Sequence, residues 1–589
     1  MTAMRYLAVL TPGAGAPAVR RRAIELHPET AGWHVVRDTP GLLIVAKGPV
    51  LPVVSETGSG VVLGDLYERG GRAAMPAVAA PEQAAIAASR GQRLIELYWG
   101  SYVVFLAAPA DARIDVVRAP FGDLGCLIAR TGRATLIASD MTLLATLLDR
   151  APEIDWHQVA RHLVLGDAGS RATCLTDIDA LRGGERLTVT DDREATMLWS
   201  PWTRTAALPV GDRQEAAARL RDAVRMSVRA RLSSFSHPLL MLSGGLDSTI
   251  LASCLALDGK SFTCLNLVSV DASGDERHYA QAAATAFGAP CIEAYRQPAN
   301  VDLALSGAAA LPWPLIRSFV QDSALIATDT AARLGADVVI DGGGGDNIFC
   351  ALQSVAPLAD ALLAGEPFGR VRAIARSIAE LAEVAEWTVL RRAAHRAWFR
   401  RDAFRTASDT SLLTPAAMLA TETASAHPWL ADTRGKAPGR AAYVALLAIA
   451  QAWVEGQDAT RSPLTLSPLV AQPVVELGLR IPSWFWFEGG GNRAVARAAF
   501  ADVLPPIIGA RQSKATPDSF VLELFERNRT RIRELLCDGL LADQDLIDLP
   551  LIERILGDPR PAQGHLPQRI MRLVDVETWA RTWMPSRVG

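Results

Sequence analysis

Up to about residue 203 the chain alternates short apolar runs with Gly, Pro and Asp: 42–46, 60–63, 102–106, 114–117, 134–138 and 186–189. Runs of four or five residues rich in β-branched and aliphatic side chains, bounded by turn formers, predict strands. The front of the chain is therefore expected to be a β-rich layer with a few helices. The pattern changes at Trp199-Ser200-Pro201-Trp202 and Pro209-Val210-Gly211, which read as a linker, and 214–230 then carries apolar residues at helical spacing. A boundary near 205 follows, with domains 1–205 and 206–589.

Beyond it, 238–242 reads as a buried strand, 248–256 as a helix, 261–270 as a second strand, 275–287 as a second helix and 336–340 as another strand. Strands alternating with helices predict a parallel α/β sheet. From about 354 onward the pattern is almost entirely helical, with no internal repeat. The expected class is α/β, α+β overall: a β-rich N-terminal domain, then a parallel-sheet domain with a helical C-terminal lobe.

Composition narrows the function. Of 589 residues half are hydrophobic and 21% charged, with 60 basic and 63 acidic side chains and a net charge of −3. That balance belongs to a globular protein with a large core and excludes a disordered polyelectrolyte. It speaks against a nucleic-acid partner. The seven cysteines are scattered, with no C-x-x-C pair, which fits a reducing cytoplasm. The apolar stretch 6–10 is too short for a signal sequence, and the uncharged run 441–454 falls short of a membrane span. The expectation is a cytoplasmic protein with no membrane partner.

The candidate chemistry lies directly after the strand ending Met241-Leu242, in Ser243-Gly244-Gly245-Leu246-Asp247-Ser248. Two glycines let the backbone turn tightly and aim N–H groups inward, and the following helix adds its positive end, so the loop suits a phosphate or pyrophosphate. Ser243 and Ser248 add hydroxyl donors. Asp247 would repel a bare anion, so its presence implies a bridging Mg²⁺.

This string resembles the pyrophosphate loop of the ATP-pyrophosphatase enzymes, which activate a carboxylate as an acyl-adenylate. The Walker loop is absent. The second half resembles the synthetase domain of asparagine synthetase-like proteins through five motifs in order: the loop; Gly274-Asp275-Glu276-Arg277; Asp341-Gly342-Gly343-Gly344-Gly345-Asp346-Asn347; Ser467-Pro468-Leu469 with Glu476; and Arg493 followed by Arg511-Gln512-Ser513-Lys514. The resemblance implies ATP and Mg²⁺ as cofactors. It implies Met241, Leu242, Ser243, Gly244, Gly245, Leu246, Asp247 and Ser248, with Gly342 and Gly343, at the nucleotide phosphates, and Asp247 and Asp346 as the metal-binding pair. It implies Lys514, one of only four lysines in the chain, as the catalytic cation on the reacting adenylate. A compact ammonium suits that crowded site.

The departures from the family are equally informative. The front half resembles an Ntn glutaminase domain at Gly100-Ser101-Tyr102, Pro120-Phe121-Gly122 and Arg182-Gly183-Gly184, but the chain begins Met1-Thr2-Ala3, without the N-terminal nucleophilic cysteine. A degenerate copy kept as scaffold is expected, with no glutamine hydrolysis. Thr2 as an N-terminal nucleophile is the minor alternative. The glutamate that handles the acceptor's proton in asparagine and β-lactam synthetases is replaced by Gly343, and Asn347 follows Asp346. The all-glycine form looks like the lasso-peptide cyclases, and a glycine at 343 would clear room for a peptide backbone. That resemblance implies an enzyme that joins an Asp or Glu side chain of a precursor peptide to its N-terminal amine, with a leader-binding protein and a leader peptidase as possible partners. The alternative is a small-molecule amide synthetase, making asparagine from ammonia or closing a β-lactam.

Of the remaining features, Asp275 and Glu276 read as the start of a helix, with a role in organising the site as the alternative that the resemblance leaves, and His278, His395 and His565 as isolated surface or structural residues. Trp484-Phe485-Trp486-Phe487 reads as core, the alternative being that part of it faces the peptide. Arg391, Arg392, Arg400 and Arg401 read as a solvated face.

Overall fold

A computed structural model of the chain describes residues 4–11, 16–55, 58–205, 209–269, 275–399, 404–406, 408–419, 427–457, 462–511, 518–562 and 564–584. Met1, Thr2, Gly274, Arg400, Arg401 and the segment 512–517, which holds Lys514, lie outside them.

The front half is built from two six-stranded antiparallel sheets. In the first, Arg5–Leu10 lies between Leu42–Lys47 and Ala134–Ala138. In the second, Tyr98–Ala108 lies between Ser59–Glu68 and Arg113–Arg118. The facing sides interleave Tyr6, Ala8 and Ile44 with Val103, Phe105 and Val116. The outer side of the first sheet, with Leu7, Val9, Leu43 and Val45, meets the helices Pro17–Glu25 and Met141–Ala145 and belongs to a core that extends to Leu573, Val574 and Val576 of the helix Leu566–Trp583. The outer side of the second shares a core with the rest of the chain. Both faces of the central strands are covered, so Leu42–Lys47 and Ala134–Ala138 are near-continuous buried apolar runs, while the edge strand His34–Thr39 stays largely exposed. Tyr6 to Leu10 are all fully buried.

The second half carries a five-stranded parallel sheet, ordered Cys291–Tyr295, Thr263–Val268, Pro238–Met241, Val338–Ile340, Leu464–Leu466. The strand, helix, strand, helix order expected from 238 to 340 is present. The strand Leu464–Leu466 lies in the region expected to be almost entirely helical. Three residues are too few to leave a periodic signal, and pairing with Val338–Ile340 supplies the order that the local sequence does not. Among the described residues no helix is long and apolar enough to cross a membrane.

The two halves meet across buried polar and aromatic contacts. Phe121, Trp199 and Trp429 form an aromatic cluster with ring centroids 5.1–5.4 Å apart. Glu476 accepts from the Trp199 indole at 2.8 Å and from Arg69 at 2.7 Å, so this residue of the fourth motif is a bolt between halves. A second bolt is Glu455, the last residue of the helix Pro438–Glu455, whose carboxylate lies 2.8 Å from Arg118 and 2.8 Å from Arg182. One turn earlier Gln451 donates to the Gly122 carbonyl at 2.8 Å.

Burial alone would raise the pKa of Glu455, but the two guanidinium groups hold it below the usual carboxylate range. A depressed folded-state pKa contributes stability above the ordinary carboxylate pKa, and that contribution disappears as pH falls through the folded value. Glu455→Ala strands two buried guanidinium groups and should lower the unfolding free energy by about 3–5 kcal/mol. Urea denaturation at neutral pH, followed by tryptophan fluorescence, measures it.

Candidate active site

The loop 243–245 leaves the carboxyl end of Pro238–Met241, at the edge where a parallel sheet presents its ligand-binding turns. Gly244 has φ +68°, and a Cβ there would stand 2.5 Å from Tyr279 Cβ and 2.6 Å from the Ala280 nitrogen. Glycine is needed both for the left-handed turn and for the close approach of the helix Arg277–Ala286. Gly245 is the N-cap of the helix Leu246–Leu257 and no side chain caps it, so the positive end of this helix faces the loop. The Ser243 hydroxyl lies 3.3 Å from that of Ser248 and accepts from the Gly245 N–H at 3.3 Å. Met241 is half-buried and Leu242 buried; Leu242 N–H donates to Leu265 at 2.8 Å, and its carbonyl accepts from Asn266 Nδ2 at 2.8 Å.

The glycine run follows the next strand, Val338–Ile340, and packs directly on this loop. A Cβ at Gly345 would lie 2.7 Å from Asp247 Cγ, and one at Gly342 would lie 3.1 Å from the Ser248 nitrogen. Close packing brings the two aspartates to a common cation. Arg493 Nη1 is 3.7 Å from Asp247 Oδ2 and 2.5 Å from Asp346 Oδ1. Asp247 is buried, while the Asp346 side chain keeps 39% of its surface exposed.

Two carboxylates around one positive charge fit Mg²⁺, which binds through one or two carboxylates plus substrate phosphates and retained waters. The Arg493 guanidinium stands where such a cation would be drawn. Among the described residues no group of three or more His, Cys, Asp or Glu forms a metal cage.

Other motif residues also converge. Arg511 donates to the Gly244 carbonyl at 3.2 Å, pairs with Glu276 and stacks over Tyr279 at 4.0 Å. The final motif therefore clamps the loop, although Lys514 itself lies outside the described residues. Asp275 turns away to Arg277 at 2.7 Å, whose hydrogen bonds lower its pKa to about 2. Asp275 and Glu276 precede Arg277–Ala286 as the helix start expected. The 484–487 stretch is largely core, with Phe485, Trp486 and Phe487 buried.

Gly343 behaves differently from the sequence expectation. A Cβ there would fall 1.9 Å from Trp453 Nε1, so the space is filled by an indole rather than left open for a peptide. Trp453 lies on Pro438–Glu455 and keeps 43% of its surface exposed. In the sequence it sits inside an apolar run and gives no sign of facing a site. Arg493 is visible there only as part of a motif. Nothing in Gly490-Gly491-Asn492-Arg493 marks a bridging cation, and only the fold brings it to the two aspartates.

A family model described as asparagine synthase matches residues 219–581. No curated protein matches the sequence. Among solved structures, the allosteric regulatory enzyme of purine biosynthesis is similar at 9% identity and TM-score 0.21, over 49% of this chain and 80% of that one. A glutamine phosphoribosylpyrophosphate amidotransferase from B. subtilis, complexed with ADP and GMP, is similar at 10% identity and TM-score 0.20, over 59% and 71%. Overlaps that low carry no argument about this site.

The packing of the loop yields a paired prediction. Gly259 also has positive φ, +65°, but a Cβ there meets nothing within 4 Å. Gly259→Ala should cost about 1–2 kcal/mol for the left-handed backbone, and Gly244→Ala about 1–3 kcal/mol more for the clash with Tyr279 and Ala280. Urea midpoints of the two variants give the difference.

Proposed function

The chain belongs to the asparagine synthase family, a family of ATP-dependent amide-forming ligases, and from that premise we propose that it is a peptide macrolactam synthetase of the lasso-cyclase type. It adenylates an Asp or Glu side chain of a precursor peptide, and the peptide's own N-terminal amine then displaces AMP to form an isopeptide bond. AMP and pyrophosphate are released. The observation that carries this reading is the meeting of Asp247 and Asp346 on one cation beside the uncapped start of Leu246–Leu257.

Each group has a part in the proposal. The loop from Ser243 to Ser248 holds the phosphates through N–H groups and hydroxyls. Asp247 and Asp346 hold Mg²⁺, which would offset the phosphate charge. Gly342 lets the run pack on Asp247 and Ser248, and Gly343 leaves the space that the Trp453 indole takes up. Lys514 stabilises the charge that develops on the adenylate as it forms and reacts. Holding both ends of one peptide together makes amine attack effectively unimolecular. The exposed indole of Trp453 against Gly343 supports a peptide substrate, because an apolar platform suits a residue's side chain. Domain 1–205 serves as scaffold, and a leader-binding protein and leader peptidase deliver the substrate.

The test uses synthetic peptides with N-terminal glycine and Asp or Glu seven or eight residues later, beside free aspartate plus ammonia. The expected product is the peptide one water lighter, with stoichiometric pyrophosphate. Asparagine formation without peptide closure would replace this reading with the small-molecule one.

Two mutational outcomes follow. Asp247→Ala and Asp346→Ala should each lower substrate-dependent ATP–pyrophosphate exchange by at least about 100-fold while the circular dichroism spectrum is kept. Lys514→Ala should slow single-turnover ring closure by about 2.7–4 kcal/mol with a much smaller loss of ATP affinity, and Lys514→Arg should not restore it.

A further inference from the structure

We propose that Asp341 is the proton acceptor for the attacking amine; this assignment rests on the amide-forming reaction proposed above. An amine that attacks an acyl-adenylate carries a proton it must lose: the C–N bond forms, the acyl C–O bond to phosphate breaks, AMP leaves with the electron pair, and one proton passes from nitrogen to a base. Asp247 and Asp346 already face a cation, with Arg493 Nη1 at 3.7 Å and 2.5 Å, and the reaction proposed above assigns both to the metal. A different carboxylate is required at the same sheet edge.

Asp341 is the residue directly after Val338–Ile340, and its amide donates to the Leu466 carbonyl at 3.0 Å. Its backbone is thus locked in the sheet, on a rigid element rather than a mobile loop. The Gly343 N–H, at 3.0 Å, and the Ser467 hydroxyl, at 2.5 Å, both donate to Oδ1. Those are the hydrogen bonds that orient the side chain, and they leave Oδ2 uncommitted. Among the described residues no Arg, Lys or His forms an ion pair with it. The residues next to it in sequence touch the site: Gly342 abuts Asp247 and Ser248, and Gly343 abuts Trp453. With no side chains at 342 to 345, nothing of that run stands between the carboxylate and a ligand on the loop.

The groups that act on Asp341 are the neutral Ser467 hydroxyl, after Leu464–Leu466, and the Gly343 N–H; the charged side chains of the site, Asp247 on Leu246–Leu257, Asp346 on Gly345–Ile348 and Arg493 ahead of Ala494–Ala499, contribute nothing resolved to its titration. Burial raises the Asp341 pKa, and the Ser467 and Gly343 hydrogen bonds only oppose that rise. An oriented carboxylate with a raised pKa and a free oxygen has the properties of a general base.

The experiment compares two readouts on each variant, using the N-terminal glycine peptides above: ATP–pyrophosphate exchange for adenylation and mass-spectrometric closure for amide formation. Asp341→Asn keeps the shape and can still accept from Ser467 and Gly343. Closure should fall by about 100-fold or more, a loss at least ten times larger than any loss of exchange, and the acidic limb of the closure rate should vanish. Ser467→Ala removes a hydrogen bond to the charged form, so the same limb should move to higher pH. Closure within threefold of wild type, an equal loss of both readouts, or an unmoved limb in Ser467→Ala overturns the assignment. Failure of the wild type to exchange pyrophosphate with either the peptides or aspartate overturns the function itself, and this role with it.

Discussion

Two like charges facing each other at the end of a parallel sheet have to share a cation, and much of the second half is arranged around that requirement. Asp247 and Asp346 sit after adjacent strands, on helices that start within touching distance because Gly345 has no side chain to keep them apart. Arg493 answers the repulsion from across the site, from a left-handed position at φ +58° ahead of its own helix. A guanidinium there offsets the mutual repulsion without a bound ion. Any stronger cation arriving with phosphates competes with Arg493 for the same oxygens, so binding and the position of this arginine are linked. The carboxylate left outside that arrangement is Asp341.

The site is also tied to the front of the molecule. The helix Pro438–Glu455 presents Trp453 to the glycine run and, two residues later, fixes Glu455 between Arg118 and Arg182 of the front half. Glu476 makes the corresponding tie from the helix Gln472–Arg480. Such buried pairs add little net stability against apolar replacements, but they fix one relative placement. The front half therefore holds the helix that carries an indole into the candidate site.

Much of this was legible in the sequence, for physical reasons that differ by residue. The loop 243–248 and the run 342–346 were readable because tight turns against helices demand glycine, and because an aspartate beside a phosphate-binding turn repels the ligand unless a metal bridges the two. Strands such as Ala134–Ala138 were readable because a strand covered on both faces is a bare apolar run. Leu464–Leu466 was not, since its order comes from its neighbour. Trp453 was hidden because a helix buried along most of its length looks the same in sequence whether or not one apolar side chain breaks out to a cleft. Arg493 and Glu455 were hidden because an ion pair between residues more than 140 and 270 positions apart leaves no local mark.

The helix Leu566–Trp583 shares one apolar core with the outer side of the first sheet, which is complete in sequence by Ala138 apart from a two-residue edge. During synthesis Val9, Leu43 and Val45 are made early, whereas Leu573, Val574 and Val576 of the same core are made last. At roughly 5–20 residues per second the intervening stretch takes about 20–90 s to emerge. For that interval the core holds only its early members, so its packing is finished by one of the last helices of the chain to leave the ribosome.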